Sequence, residues 1–192
     1  DQGGAELIAS LPARGLEKLW LSDNGLGQLS GEALGEFLSS TSALSSIDIS
    51  WNSIRRKGAV RLLQGLRECP SLTHAVLRWN AVGDSEGGQG PVQLGGLLSD
   101  ARRTPMQLLD LAHNRISHQG VEAVDKAWKG DEGGVVRLVL DGNPMTDDGV
   151  AAMAAAVEQR KSRLAVSMEG CGGKEAVPRD DADGRSSRMS LG

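Results

Sequence analysis

The chain has 192 residues, 39% hydrophobic and 24% charged, which suits one globular domain with a sizeable core. Only 3% is aromatic, with four Trp, one Phe and no Tyr, so aliphatic side chains must fill that core in thin layers. A formal charge of −4 argues against a nucleic-acid backbone as the main partner, and no apolar run approaches the roughly 18–20 residues that span a bilayer.

Residues 1–10 read as the closing helix of a repeating unit, with Gly3 near its start and Leu7 and Ile8 turned inward. On this reading the chain begins in mid-unit and part of another unit lies upstream. A segment of the form apolar-x-x-apolar-x-apolar-x-x-Asn follows as Leu16-Leu19-Leu21-Asn24, and it recurs as Leu44-Ile47-Ile49-Asn52 and Leu72-Ala75-Leu77-Asn80. Further along come Met106-Leu109-Leu111-Asn114 and Val135-Leu138-Leu140-Asn143, then a degenerate copy with Val166 and Met168 in the inner slots and Cys171 in the Asn slot. Period-two alternation gives a short strand with one buried face. Six residues past the Asn stands a Gly in three copies (Gly58, Gly120, Gly149), and stretches such as Val60-Leu62-Leu63-Leu66 and Val150-Met153-Val157 give helices packed on that face.

Successive Asn slots lie 28, 28, 34, 29 and 28 residues apart. The long interval is expected to hold a surface loop inserted at 83–91, where Gly83-Asp84-Ser85-Glu86-Gly87-Gly88-Gln89-Gly90-Pro91 stands. Each Asn sits where the chain leaves a strand, and its amide can pair buried backbone groups. Asn24, Asn52, Asn80, Asn114, Asn143 and Cys171 are therefore the expected structural ladder. The domain is set at 1–171. Residues 172–192, polar and poor in large apolar groups, form a tail that is either exposed and flexible or ordered on a partner through Met189 and Leu191.

The alternation of LxxLxLxxN with a Gly-led helix every 28–29 residues resembles ribonuclease-inhibitor-type leucine-rich repeats, over about residues 1–171. The resemblance implies an α/β solenoid, a horseshoe segment with parallel strands on the concave face and helices on the convex face. Its relatives include enzyme inhibitors, innate-immune sensors, activators of small GTPases and scaffolds of cytoskeletal or ciliary assemblies, so it says little about activity.

Outward strand positions are the candidate binding surface. The middle position carries Trp20, Asp48 and Asp110, the next outward position carries Arg78 and Asp141, and the slot before the Asn carries Trp51, Trp79 and His113. Trp and Arg are frequent binding anchors. Trp20 points straight out of a strand, which favours binding. Trp51 and Trp79 share one slot at the strand-to-helix turn, where packing is the stronger reading and partner contact stays open. Trp128 lies on the helical side and is expected to pack there. With Arg78 and Arg137 interspersed, Asp48, Asp110 and Asp141 predict a net negative face suited to a basic patch on the partner.

No catalytic residue, metal ligand or cofactor site is expected. Cys69 and Cys171 are not activated in these positions, His74, His113 and His118 lack partners at ligand spacing, and Gly87-Gly88-Gln89-Gly90 is no phosphate loop. Two distant cysteines and the absence of an Asn-x-Ser/Thr sequon point to a reducing, intracellular and cytoplasmic setting. The expected function is a non-catalytic scaffold or adaptor binding protein partners in a hetero-complex, without nucleic acid or membrane span, as one subunit of a larger eukaryotic assembly of ciliary or cytoskeletal type. The alternative is an enzyme regulator, a small-GTPase activator using Arg55 or Arg56 or a ribonuclease or protease inhibitor.

Overall fold

The structure, a computed structural model, describes residues 1–99, 106–128, 135–159 and 164–172. Within them six three-residue strands form one parallel sheet in chain order: Lys18–Trp20 (β1), Ser46–Asp48 (β2), His74–Val76 (β3), Leu108–Asp110 (β4), Arg137–Val139 (β5) and Ala165–Ser167 (β6). The helices are Gln2–Ala9 (α1), Gln28–Ser40 (α2), Arg56–Glu68 (α3), Gln89–Ser99 (α4), His118–Ala127 (α5) and Asp147–Gln159 (α6). Leu19, Ile47, Ala75, Leu109, Leu138 and Val166 lie opposite one another from strand to strand, and the four inner members of that row are sealed from solvent. Each strand contributes one apolar side chain to a core shared with the helices.

The two layers want different spacings. Parallel strands lie about 4.8 Å apart, whereas helices pack at roughly 8–10 Å, so the stack bends with strands on the concave side and helices on the convex side. Glycines limit that bend between α2 and α3. A Cβ on Gly58 would lie 2.4 Å from the Gln28 carbonyl oxygen, and one on Gly65 would lie 2.5 Å from that of Gly35. Any larger residue there would push the two helices apart.

The repeats are joined by the asparagines. The Asn52 amide donates to the carbonyls of Leu21 (2.9 Å), one unit back, and of Ile49 (2.9 Å) in its own unit. Its Oδ1 accepts from the N–H groups of Asn24 (3.1 Å) and Leu26 (2.8 Å). Asn80 donates to Ile49 and Leu77 and accepts from Ile54. Asn143 donates to Leu111 and Leu140 and accepts from Asn114 and Ile116. Asn114 donates to Leu77 and accepts from Val82 at 3.3 Å. Cys171 keeps one such link, its Sγ donating to the Leu140 carbonyl at 3.0 Å.

Three expectations need correction. In α1 it is Gly4, not Gly3, that packs: a Cβ on Gly4 would meet Leu26 and Ser30 at 2.7 Å, while Gly3 faces open space, and Leu7 is 55% exposed beside the buried Ile8. The extra residues of the long repeat are not one surface loop. Gly90 lies ten residues past Asn80, against six from Asn52 to Gly58, and Met106 lies eight past Leu98, against six from Leu66 to Leu72. The surplus is thus split across both ends of α4. Val82–Asp84 and Glu86–Gly88 form short 3-10 turns, and Gly90 and Pro91 are buried in the first turn of α4. Asn24 is exposed and its amide donates within its own unit, to the Ser22 carbonyl at 2.8 Å. The tail expected at 172–192 lies, past Gly172, outside the described residues.

Replacing Asn80 with Ala removes three buried hydrogen bonds and leaves their partners unsatisfied, a loss of about 3 kcal/mol in urea unfolding. Asn24→Ala should cost less than about 0.5 kcal/mol. Equal losses at the two positions would refute the ladder as the link between repeats.

Candidate functional site

The concave strand face is more closed than its sequence implies. Asp110 is corrected from a partner contact to a buried group: it is 3% exposed. Arg78 of the neighbouring repeat donates to its Oδ2 through Nε at 2.9 Å and through Nη2, and its Oδ1 accepts from the Ala112 N–H at 3.0 Å. Asp48 takes the N–H (2.9 Å) and hydroxyl (2.6 Å) of Ser50. Asp141 takes the Ser167 hydroxyl (2.7 Å) and the Glu169 N–H (2.8 Å). These carboxylates hold the chain as it leaves the strands, so the acidic character of the face is largely spent internally. Val139 and Ala112 are buried as well, whereas Trp20 stands 67% exposed on β1.

A second row runs along the edge where strands turn towards helices. Asp23, Trp51, Trp79, His113, Gly142 and Gly170 all precede the ladder slot, and all have φ between 53° and 68°. This left-handed backbone lets the N–H of all but Gly170 reach the next repeat: Asp23 donates to Ser50, Trp51 to Arg78, Trp79 to Ala112, His113 to Asp141 and Gly142 to Glu169, at 2.8–3.0 Å. Such bonds space the row at the strand pitch, close to the distance at which flat rings stack. The Trp51 and Trp79 rings lie 4.5 Å apart at 13°, and the Trp79 and His113 rings 3.9 Å apart at 14°. The His113 ring lies over Gly142, where a Cβ would come within 2.8 Å of three ring atoms.

Energy does not favour tryptophan in this slot. Left-handed backbone costs a bulky residue about 1–2 kcal/mol, and a stacked aromatic pair returns about 0.5–1.5 kcal/mol. Strained residues of this kind concentrate at functional sites, and Trp51 and Trp79 remain 55% and 40% exposed. Beside the rings is an open groove of about 340 Å³, lined by Arg55, Trp79, His113, Arg115 and Pro144 among others, with no carboxylate among its described lining residues. Arg115 pairs with Asp84 at 2.9 Å. Arg115 and Gly142 were not singled out from sequence. The signal available for Gly142 was a glycine in the slot of the ring-bearing residues, which marks room for a neighbouring ring.

The structure therefore brings Trp51, Trp79 and His113 together and leaves Trp20 apart on β1. Trp128 is buried where α5 ends. His74 lies 2.9 Å from the Thr73 hydroxyl, but that hydroxyl donates to the Ser45 carbonyl, so its proton is already committed. Among the described residues no three His, Cys, Asp or Glu side chains gather as a metal site, and no helix is long and apolar enough to cross a membrane.

The Leucine Rich repeat family matches residues 104–124 and 135–154. A relative, Leucine-rich repeat-containing protein 45 of Gallus gallus, is 33% identical over 114 residues, 57% of this chain. The chain spans 16% of that relative's length. With the sheet topology, these matches identify the fold as a leucine-rich-repeat solenoid, an architecture that generally mediates protein–protein interaction and typically performs no catalysis.

Trp51→Gly should change stability by less than about 1 kcal/mol in urea unfolding, because relief of backbone strain offsets the lost stacking. A loss of several kcal/mol would make the ring a structural element. Burial, reinforced by the Asp141 carboxylate, pushes the Cys171 thiol above its ordinary value. At neutral pH it stays protonated, so alkylation followed by mass spectrometry should run slower than for a free cysteine and accelerate as pH rises. A rate equal to that of free cysteine would overturn this assignment.

Proposed function

We propose that this chain is a protein-binding scaffold built from repeats of the ribonuclease-inhibitor type, without catalytic activity of its own. It engages partners through the outward strand residues Trp20, Asp48, Arg78 and Asp141 and the edge residues Trp51, Trp79 and His113. On this reading it is one subunit of a larger intracellular hetero-assembly, with a cytoskeletal or ciliary structure as the type of complex served. The observation that carries the reading is the exposure of three of the four tryptophans. They stand on or beside one sheet, in three consecutive repeats, with two of them in a strained backbone conformation. Exposed rigid rings of this kind are the usual anchors of protein interfaces. The repeat stack supplies a long, stiff surface on which they can be presented.

The test is affinity capture from native lysate with the wild-type chain and Trp20→Ala, compared by mass spectrometry. Arg78 is unsuitable for this test, since its removal leaves the buried Asp110 carboxylate unpaired and mixes a folding defect with a binding one. Trp20→Ala should weaken partner binding by about 2 kcal/mol, roughly thirtyfold, with an unchanged melting temperature. An identical partner set at identical yield would exclude the concave face as the binding surface.

A further inference from the structure

The groove beside the aromatic row combines features that select a particular partner. Its described lining carries Arg55 and Arg115 and no acidic side chain. Among the described residues the Arg55 side chain has no hydrogen-bond or ion-pair partner, and the Arg115 side chain is held only by the Asp84 pair, in which both side chains are well exposed. Such a pair is weak and can be exchanged for a better acceptor. Arg56 and Lys57 line an adjoining depression with Gln28 and Asp84, extending the positive edge. The concave face, by contrast, holds its carboxylates in internal bonds.

The stacking direction decides what these cations accompany. Trp79 has Trp51 on one face and His113 on the other, and His113 is closed on its far side by Gly142. The row therefore offers the groove ring edges rather than faces. A nucleobase binds by stacking on a face, and here the outer face of Trp51 is the one left uncovered by the row. Ring edges are the positive end of the aromatic quadrupole, and with flanking guanidinium groups they favour negatively charged oxygen. From the Trp79 slot to the Gly142 slot is two strand spacings, about 10 Å, which matches about three residues of extended chain.

We propose that this groove holds a short acidic stretch of a partner protein, extended along the ring edges of Trp79 and His113, with Asp or Glu carboxylates on Arg55 and Arg115. The inference rests on the reading of the chain as a protein-binding module and names the chemistry recognised at its edge. Binding replaces the exposed Asp84 pair with carboxylates set against the rings. Because the contacts are charged and partly exposed, affinity falls as salt rises.

The test uses the purified chain and fluorescence anisotropy with three labelled probes: a short peptide alternating Asp and Glu, the same peptide in Asn and Gln, and a short single-stranded poly-uridine RNA. The acidic peptide should bind, and the amide peptide and the RNA should not. Arg55→Glu and Arg115→Glu should each weaken peptide binding by at least about tenfold, with thermal melts confirming that the variants fold. The proposal is overturned if the RNA binds and the peptide does not, if the amide peptide binds equally well, or if both charge reversals leave peptide affinity intact. Failure of the peptide while lysate partners remain dependent on Trp20 removes this inference alone. Failure of both removes the scaffold reading with it.

Discussion

A primary amide repeated from Asn24 to Asn143 is what the rest of the molecule hangs on. Each unit is too thin to bury its own strand, so it must be fixed to the preceding one at the point where the chain leaves the sheet. Asn52 does this with donors aimed at Leu21 and Ile49 and an acceptor aimed at Asn24 and Leu26, so a single side chain bonds backbone of two units. Asn80, Asn114 and Asn143 occupy buried copies of the slot. A partly satisfied amide there would cost more than an apolar side chain, so the slot is demanding in chemistry and not merely in size. Asn24 is exposed, and a thiol suffices at Cys171.

The turn imposed by that amide has a second consequence one residue earlier. The residues preceding the ladder adopt left-handed backbone, and Asp23, Trp51, Trp79, His113 and Gly142 each donate their N–H to the next repeat. The hydrogen-bond pitch of a parallel sheet is close to the stacking distance of aromatic rings, so any flat side chains placed in consecutive copies of this slot come to rest face to face. Trp51, Trp79 and His113 do so, with Gly142 making room at the end. The same geometry that favours Asn, Asp or Gly in the slot makes tryptophan strained there, which separates the demands of folding from those of recognition.

Charge is divided between two surfaces in a way that net charge conceals. The strand face carries the acids but ties them to Ser50, Ala112, Glu169 and Arg78. The turn edge carries cations, and Arg55 among them is not tied down. A partner approaching the sheet meets an exposed Trp20 and carboxylates already engaged, while a partner approaching the edge meets available positive charge beside ring edges.

The repeat length, strand register, ladder positions and helical stretches follow from the amino-acid sequence by itself, because each depends on local periodicity and on one residue type per unit. Leu44-Ile47-Ile49-Asn52 permits few readings other than a buried strand ending in a turn. The fate of Asp110 did not follow, since an outward slot gives no hint that Arg78 of the neighbouring unit will lie over it. Nor did the course of the long repeat, where Gly90 and Pro91 read as loop residues and yet enter a helix. The stacked row could not be read either: identical slots placed Trp51 and Trp79 in neighbouring units, but whether their rings touched each other, the core or solvent depended on the backbone torsion at the turn. Contacts within a unit are written in its periodicity, while contacts between units are set by the pitch and curvature of the assembled stack, which appear only once the units are packed.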